Sequence, residues 1–354
     1  MRVNSRFIGR QDKGSTPPEV LILDGSEIEQ LLNMGEAIKT VEHSFRLQAE
    51  GETIMPPKLY LDLPQYQGDF RAMPAYIEGA AGVKWVSVYP NNWRQNLPSI
   101  MATIILCDPH TGCPLAIMDG THITNIRTGA AGAVAVKYLA RNNSSIIGFI
   151  GAGIQARTQL LAISEVLPKI GQVKVFDQNW NASLKYADEM GARLSLNIRP
   201  AKTINEATEA DIVVTTTPSR TPIIKKQHIQ PGTHINAVGA DAKGKQELEA
   251  DLLKSAKVIV DDIEQASHSG EINVPLSEGV IKLKDIYGTL GEVVVNIKKG
   301  RENAEEITIF DSTGLAIQDI ICAKHAYKMY VQRHPESKKL DLSNDLNKGV
   351  GDDN

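Results

Sequence analysis

Residues 146–156 decide the fold, and they read Ile-Ile-Gly-Phe-Ile-Gly-Ala-Gly-Ile-Gln-Ala. The apolar run at 146–150 is typical of a buried strand, and it leads directly into a glycine turn and then into helix-forming residues. In such a unit Gly151 permits the tight turn, Gly153 lets the backbone approach a pyrophosphate, and Ala156 lets helix and strand pack closely. Because the N–H groups of the first helical turn favour phosphate, the stretch predicts a dinucleotide site.

The sequence around this stretch alternates short apolar strands with helical segments. Strands are predicted at residues 146–150, 173–176, 212–215, 234–238, 258–260 and 307–310. Alternation of this kind implies parallel strands joined by crossover helices. A last long helix is predicted from Gly314 to His334, with Asp311 and Ser312 capping its start.

The sequence before residue 139 has a different pattern. Apolar residues recur at helical spacing between Ile28 and Phe45, and short strands follow at residues 59–63, 82–89 and 102–106. The predicted fold class is therefore α/β, a Rossmann-type doubly wound parallel sheet inserted in an α+β domain. The nucleotide domain is expected at 139–312, the surrounding domain at 19–138 plus 313–334, a disordered start at 1–18 and a polar tail at 335–354.

Composition excludes several classes of function. The 354 residues carry 38 Lys plus Arg against 42 Asp plus Glu, a formal charge of -4 with scattered basic residues, which argues against nucleic acid as a partner. No apolar run reaches the ~18 to 20 residues needed to cross a bilayer, and the N-terminus does not look like a secretory signal, so a cytoplasmic protein without a membrane partner is expected. The three cysteines and the dispersed histidines give no metal-ligand spacing, so no metal is predicted.

Two residues beyond the glycine turn are predicted to face the cofactor. Asp177 ends the second strand, 24 residues after Gly153, near the offset of an acid that hydrogen-bonds a ribose hydroxyl. A carboxylate there repels a 2′-phosphate and favours NAD over NADP, although a simple turn aspartate is the alternative. Thr216 follows the third strand, where a carboxyl-end loop faces the cofactor.

Three charged residues are candidates for the chemistry. Lys84 shares the apolar face of its strand with Val86 and Val88, so it either binds a substrate carboxylate and transfers protons or pairs with a buried acid. Arg127 opens a helix rich in small residues, and its guanidinium suits a carboxylate or phosphate unless it is a surface residue. Asp241 follows the fourth strand and either handles an amino group or forms part of a turn.

At these residues the chain resembles the ornithine cyclodeaminase/μ-crystallin family, which includes archaeal-type alanine dehydrogenases and several imine reductases. The resemblance spans about residues 20–334, and its most specific segments are GVKWVSVYP, IRTGAAGAVAVKYLA, FIGAGIQA, INAVGADAKGKQEL, VDDIEQASHSGEIN and ITIFDSTGLAIQD. It implies a homodimer, a substrate-binding and dimerisation domain built from both chain ends, and a central NAD domain.

The resemblance also implies roles for particular residues. Lys84 matches the family's active-site lysine, Arg127 the arginine between substrate and cofactor, and Asp241 the acid that handles the amino group. Lys58 stands where many relatives carry an arginine for the substrate carboxylate, and a lysine cannot form that bidentate fork. The positions implied to contact the cofactor are Ser99, Arg127, Gly151, Gly153, Ile154, Gln155, Asp177, Thr216, Ile235, Asn236, Ala237, Val238, Lys245 and Ser312.

The sequences of the segments GADAKGKQEL and GEIN resemble the alanine dehydrogenase branch of the family more than the cyclodeaminases. The expected reaction is L-alanine, NAD and water to pyruvate, ammonia and NADH, so the partner is a small amino acid or its imino or keto acid. An ornithine cyclodeaminase that recycles NAD is the alternative. A cyclic ketimine reductase or a crystallin-type NAD(P)H-dependent binding protein is a second alternative. Only the shape of the pocket separates these activities.

Overall fold

The computed structural model of the chain describes residues 19–167, 169–334 and 340–341. Its strands are β1 (Glu19–Leu23), β2 (Thr53–Ile54), β3 (Leu59–Leu63), β4 (Gly68–Ile77), β5 (Ala80–Val88), β6 (Ile100–Cys107), β7 (Pro114–Asp119), β8 (Ile146–Ile150), β9 (Gln172–Phe176), β10 (Ile198–Pro200), β11 (Ile212–Thr215), β12 (His234–Ala237), β13 (Lys257–Val260), β14 (Gly288–Thr289), β15 (Thr308–Asp311) and β16 (Leu340–Asp341). Its α-helices are α1 (Gly25–Leu31), α2 (Met34–Ala49), α3 (Gly120–Leu139), α4 (Ile154–Val166), α5 (Trp180–Leu194), α6 (Ile204–Thr208), α7 (Ala250–Ser255), α8 (Ile263–Ser269), α9 (Asn273–Ser277), α10 (Leu290–Val294) and α11 (Ala316–Arg333).

The first sheet is mostly antiparallel and carries one buried face. Its order is β16-β1-β7-β6-β5-β4-β2, with β3 also paired to β4. Along β4 the residues on one face, Arg71, Met73, Ala75 and Ile77, are buried, and those between them are partly exposed, as the period-two geometry of a strand requires. Helices α3 and α11 contact β4, β5 and β6, so the buried faces of the three central strands are covered by helix.

The second sheet is entirely parallel and confirms the Rossmann-type fold class. Its order is β10-β9-β8-β11-β12-β15-β13-β14, and every registered pair is parallel. The chain moves outward from β8 through β9 to β10, then returns to place β11 on the other side of β8. Ligands of such sheets bind outside the carboxyl ends of the strands where this order reverses, which here lies between β8 and β11.

Helix α3 joins the two sheets, and its small residues explain how. A Cβ on Gly129 would lie 2.5 Å from the carbonyl oxygen of Thr158 in α4, so only glycine allows this approach. The same helix contacts β6 of the first sheet. Arg127, near the middle of α3, is therefore held at the junction between the sheets.

Three local predictions need correction. The periodic stretch before Phe45 forms two helices, not one, because Asn33 caps the second with its side chain, and the unpredicted strand β1 precedes both. Helix α11 begins at Ala316 with Leu315 at the N-cap position. Asp311 does not cap it, since this residue pairs with Ala237 and Val260 and stays in the extended conformation of β15.

The chain ends were predicted to be unstructured. The start at 1–18 lies outside the described residues. Of the predicted polar tail at 335–354, Leu340 and Asp341 form β16 and pair antiparallel with β1, and the rest lies outside the described residues. The domain boundaries at 139 and 313 stay predictions. No helix in the described part of the chain is both long and apolar enough to cross a bilayer.

Candidate active site

The glycine turn lies at the reversal point of the parallel sheet. Gly151 has φ of +100°, and a Cβ on it would lie 2.8 Å from Oγ1 of Thr216, so the turn requires glycine. Gly153 occupies the N-cap of the 13-residue helix α4, with no side-chain cap, and a Cβ there would meet no described atom within 4 Å. The first N–H groups of a helix have no partner within the helix, and the open space at Gly153 leaves room for the phosphates of a dinucleotide to reach them.

Asp177 lies beside this turn, as the spacing predicted. Its Oδ2 accepts a hydrogen bond of 2.9 Å from the N–H of Ala152, and its Oδ1 accepts one of 2.8 Å from the N–H of Asn179. The side chain is only partly buried. The carboxylate therefore stands at the end of β9 next to the turn, within reach of a ligand that binds there.

Other predicted cofactor positions lie along the same edge of the sheet. The N–H of Thr216 donates to the carbonyl of Ile150, and the N–H of Ser312 donates to the carbonyl of Ala237, both at 2.9 Å. Val238 follows directly after β12. Thr216, Ser312 and Val238 thus line the carboxyl ends of β11, β15 and β12.

The remaining predicted cofactor positions differ in how they are placed. The Ile154 side chain at the start of α4 is exposed, and Gln155 donates 3.2 Å to Asn125. Ile235 and Asn236 are buried within β12, and the Asn236 amide donates 3.0 Å to the carbonyl of Gly132, so this side chain serves packing between sheet and α3.

Ser99 is not brought to the site within this chain. It is exposed in the loop between β5 and β6, next to the pair Val88 and Ile100. Lys84 pairs with Ile104, five residues further along β6 and so roughly 17 Å away. A cofactor role for Ser99 stays a prediction.

Lys84 is buried and ion-paired. Its Nζ lies 2.7 Å from Oδ2 of Asp319 and 3.3 Å from Oγ1 of Thr124. Burial lowers the pKa of Lys84 to about 7, the charge of Arg127 lowers it as well, and Asp319 opposes both. An amine with this pKa exchanges a proton near neutral pH, which is what general acid–base catalysis needs.

Arg127 binds the same carboxylate from a second element. Its Nε lies 2.9 Å from Oδ1 of Asp319, and its Nη1 donates 3.4 Å to Oε1 of Gln318. The arginine is 5% exposed and Asp319 is fully buried. Arg127 is therefore buried, and the alternative interpretation of it as a surface residue is wrong.

Asp241 is held by two cations. Nη1 of Arg71 lies 2.9 Å from its Oδ2, and Nζ of Lys245 lies 2.5 Å from its Oδ1. Burial alone would raise the pKa of Asp241, but Lys245 and Arg71 outweigh it and hold the pKa well below its usual value. Arg71 is fixed in turn by Asp69 at 2.6 Å. The Asp241 carboxylate is therefore negative at neutral pH.

Lys58 belongs to the same cluster. Its Nζ donates a 2.6 Å hydrogen bond to the carbonyl of Thr313, at the end of β15. Burial lowers the pKa of Lys58 to about 8, Arg71 adds to the effect, and Asp241 opposes it. Because Lys58 also interacts electrostatically with Arg127, the structure brings all four predicted substrate-binding residues, Lys58, Lys84, Arg127 and Asp241, into one charged site.

Sequence reasoning missed two residues of this site, Arg71 and Asp319. A signal for each was present. Arg71 shares the buried face of β4 with Met73 and Ala75, the same pattern that identified Lys84. Asp319 is the charged residue in the stretch from Leu315 to Ile321, where only its neighbour Gln318 is also polar. Among the described residues no group of three or more His, Cys, Asp or Glu side chains is arranged to hold a metal ion.

The sheet order and the glycine turn together define a Rossmann-type dinucleotide-binding protein. The chain belongs to the ornithine cyclodeaminase/mu-crystallin family, whose model matches residues 19–334, and this confirms the resemblance drawn from the sequence.

Individual relatives cover nearly the whole chain. It is 52% identical over 323 residues to the alanine dehydrogenase of Archaeoglobus fulgidus. The aligned region covers 90% of this chain and 98% of that protein. A solved archaeal alanine dehydrogenase dimer with bound NAD has a TM-score of 0.88 and 50% identity, covering 92% of this chain and 100% of that chain. The Thermococcus litoralis Δ1-pyrroline-2-carboxylate reductase, solved with NADH and L-proline, has a TM-score of 0.86 and 43% identity, covering 89% of this chain and 98% of that chain.

Proposed function

We propose that this protein is an NAD-dependent amino acid dehydrogenase that converts L-alanine, NAD and water into pyruvate, ammonia and NADH. The observation that carries the proposal is the charged site of Lys58, Lys84, Arg127 and Asp241. It lies at the carboxyl edge of a sheet whose glycine turn fits a dinucleotide. The 52% identity to an alanine dehydrogenase supports this choice of substrate.

The positive side of the site suits the substrate carboxylate. Lys58, Lys84 and Arg127 come from the loop before β3, from β5 and from α3, and they converge on one region. Lys58 is partly buried and Arg127 is buried, and their positive charges are only partly balanced by Asp319, so an incoming carboxylate gains from binding there even when Lys84 is neutral. This orients the α-carbon toward the cofactor side of the site.

In this mechanism Lys84 transfers protons and Asp241 stabilises charge. When bound at the turn, NAD supplies the acceptor for the hydride on the substrate α-carbon. Neutral Lys84 accepts a proton from the substrate ammonium or from the attacking water. Asp241 stays negative because Arg71 and Lys245 hold its pKa low, so it stabilises the positive charge on the substrate nitrogen instead of taking its proton.

A cyclodeaminase is less well supported, because a diamine needs a partner for its second ammonium. Three carboxylates of the site are already paired: Asp69 with Arg71, Asp241 with Arg71 and Lys245, and Asp319 with Lys84 and Arg127. A fourth, Asp261, interacts with Lys58 and accepts hydrogen bonds from the N–H groups of Thr313 and Gly314, so a second ammonium would compete with these contacts. A binding protein without catalysis would not need Lys84 in this environment. An imine reductase remains the nearest alternative, since it runs the same chemistry in reverse.

A substrate panel tests the proposal. NADH formation is measured with L-alanine, L-ornithine and L-lysine, and NADH consumption with pyruvate plus ammonia and with cyclic imines, each repeated with the NADP(H) pair. We expect turnover with alanine and with pyruvate plus ammonia, and a preference for NAD because the Asp177 carboxylate repels a 2′-phosphate. Proline formed from ornithine without net NADH would select the cyclodeaminase, and activity with cyclic imines alone would select the reductase.

We also propose a homodimer formed through the outer face of the first sheet. Leu61, Trp85, Met101 and Ile105 expose 49%, 43%, 38% and 39% of their surface there, and Phe70 stacks on Trp85 at 5.3 Å. A contiguous apolar face of this kind marks an interface, and a solved relative is described as a dimer. Light scattering should give twice the mass of the chain, and Trp85→Glu should lower it toward the monomer; a wild-type monomer would contradict this.

A cytoplasmic location stays a prediction.

A further inference from the structure

Among the residues that the structure describes, Asp319 is the one buried acid that contacts both Lys84 and Arg127. It lies on α11 and is fully buried, with Oδ2 at 2.7 Å from Nζ of Lys84 and Oδ1 at 2.9 Å from Nε of Arg127. The lysine comes from β5 and the arginine from α3, so three separate elements meet at one carboxylate. This arrangement fixes the position of both cations relative to the sheet.

We propose, on the basis of the dehydrogenase function above, that Asp319 is a positioning residue that holds Lys84 and Arg127 in register and controls when Lys84 carries its proton. Asp319 acts through these two side chains and does not need to touch the substrate.

Charge balance within the triad supports this role. With Lys84 neutral, the Arg127 guanidinium and the Asp319 carboxylate form a complete ion pair in the protein interior. With Lys84 protonated, the triad carries one excess positive charge, which a buried site does not favour. A substrate carboxylate offsets that excess, so binding of the carboxylate and protonation of Lys84 favour each other.

The other groups that face Lys84 do not replace Asp319. From α3 come the Arg127 guanidinium and the Thr124 hydroxyl, and Lys58 adds a further positive charge. Both cations disfavour a proton on Lys84, and the hydroxyl is neutral. The Asp319 carboxylate is the group that favours the protonated lysine. Removing its charge should therefore lower the pKa of Lys84.

The test measures this pKa directly. Protein labelled with ¹³C at lysine Cε is titrated by NMR, and the Lys84 signal is assigned by its absence in Lys84→Met. Asp319→Asn should lower the pKa of Lys84 by at least about 1, because an opposite charge at ion-pair distance is lost. Arg127→Gln should raise it by a comparable amount, because a like charge is lost. The pH profile of kcat/KM for Asp319→Asn should move to lower pH.

Asp211→Asn serves as the matched control. Oδ1 of Asp211, just before β11, lies 2.5 Å from Nη2 of Arg141, so this substitution also breaks an aspartate–arginine pair. It should leave the titration of Lys84 unchanged. An unchanged Lys84 pKa in Asp319→Asn would overturn the inference. If Asp319→Asn does not fold, Arg127→Gln decides, and the absence of a rise overturns it. Because the titration needs no turnover, a wild-type protein inactive with every substrate would refute the proposed function separately.

Discussion

Replacing Lys84 by methionine is expected to lower kcat/KM by ~10²–10⁴, the usual contribution of a positioned acid or base. Methionine keeps much of the volume of the lysine side chain and removes the amine that we propose accepts the proton. Affinity for NADH, followed by its fluorescence, should stay close to that of the wild type, since the glycine turn belongs to the other sheet. Steady-state kinetics with L-alanine and with pyruvate plus ammonia measure the loss.

The pH dependence of the wild type should reveal the same amine. The pKa of Lys84 is lowered to about 7, so the side chain is mostly neutral above pH 7 and mostly protonated below it. In the proposed mechanism amino acid oxidation uses the neutral form as the proton acceptor, and kcat/KM should therefore fall as the pH drops below about 7. Imine reduction uses the protonated form and should show the opposite dependence.

Lys174→Met provides the comparison for the lysine variant. Lys174 lies on β9 and contacts Glu209 at 3.6 Å, so its replacement also removes a lysine from an ion pair. It should leave kcat/KM unchanged. If Lys84→Met turns over amino acids at the wild-type rate, Lys84 is not the proton-transfer group.

Replacing Asp241 by asparagine is expected to lower kcat/KM by ~10²–10³, because the negative charge that we propose stabilises the reacting nitrogen is removed. Asparagine keeps the size of the side chain, so the change isolates the charge. The positive charge on nitrogen develops fully during oxidation, and the loss should therefore fall mainly on kcat, with a smaller effect on KM. Arg71 and Lys245 would also lose their shared counterion.

Asp69→Asn is the matched comparison for Asp241. It removes a carboxylate from the same arginine, Arg71, but leaves the Asp241 carboxylate in place. It should reduce kcat/KM much less than Asp241→Asn. Equal losses in the two variants would show that the orientation of Arg71, and not the charge of Asp241, limits the reaction.

Local sequence patterns predicted the elements whose structure depends on near neighbours. The strand Ile146–Ile150 has the predicted bounds, because an apolar run that ends in Gly-x-Gly leaves few alternatives. Lys84 was found from the alternation of its own strand. The break between α1 and α2 was missed, because the apolar spacing continues across it while the cap at Asn33 starts a new helix.

Local sequence patterns could not predict which residues form ion pairs with the charged residues of the site. Arg127 and Asp319 are 192 residues apart in sequence, and Arg71 and Asp241 are 170 apart. The sequence alone indicated that Lys84 needs either a buried partner or a lowered pKa. The structure shows that Lys84 has an acidic partner, Asp319, and also a lowered pKa.

What the sequence determined by itself was the dinucleotide turn, the parallel sheet that carries it and the choice of Lys84, Arg127 and Asp241 as candidates, because these follow from periodicity, from the ends of predicted elements and from backbone freedom at Gly151. Lys58 was implied only by the family resemblance. The tertiary structure alone decided that Asp319 balances Lys84 and Arg127, and that Arg71 and Lys245 keep Asp241 ionised. The physical reason is that the pKa of a buried group is set by the charges packed around it, and folding brings those charges from distant parts of the chain.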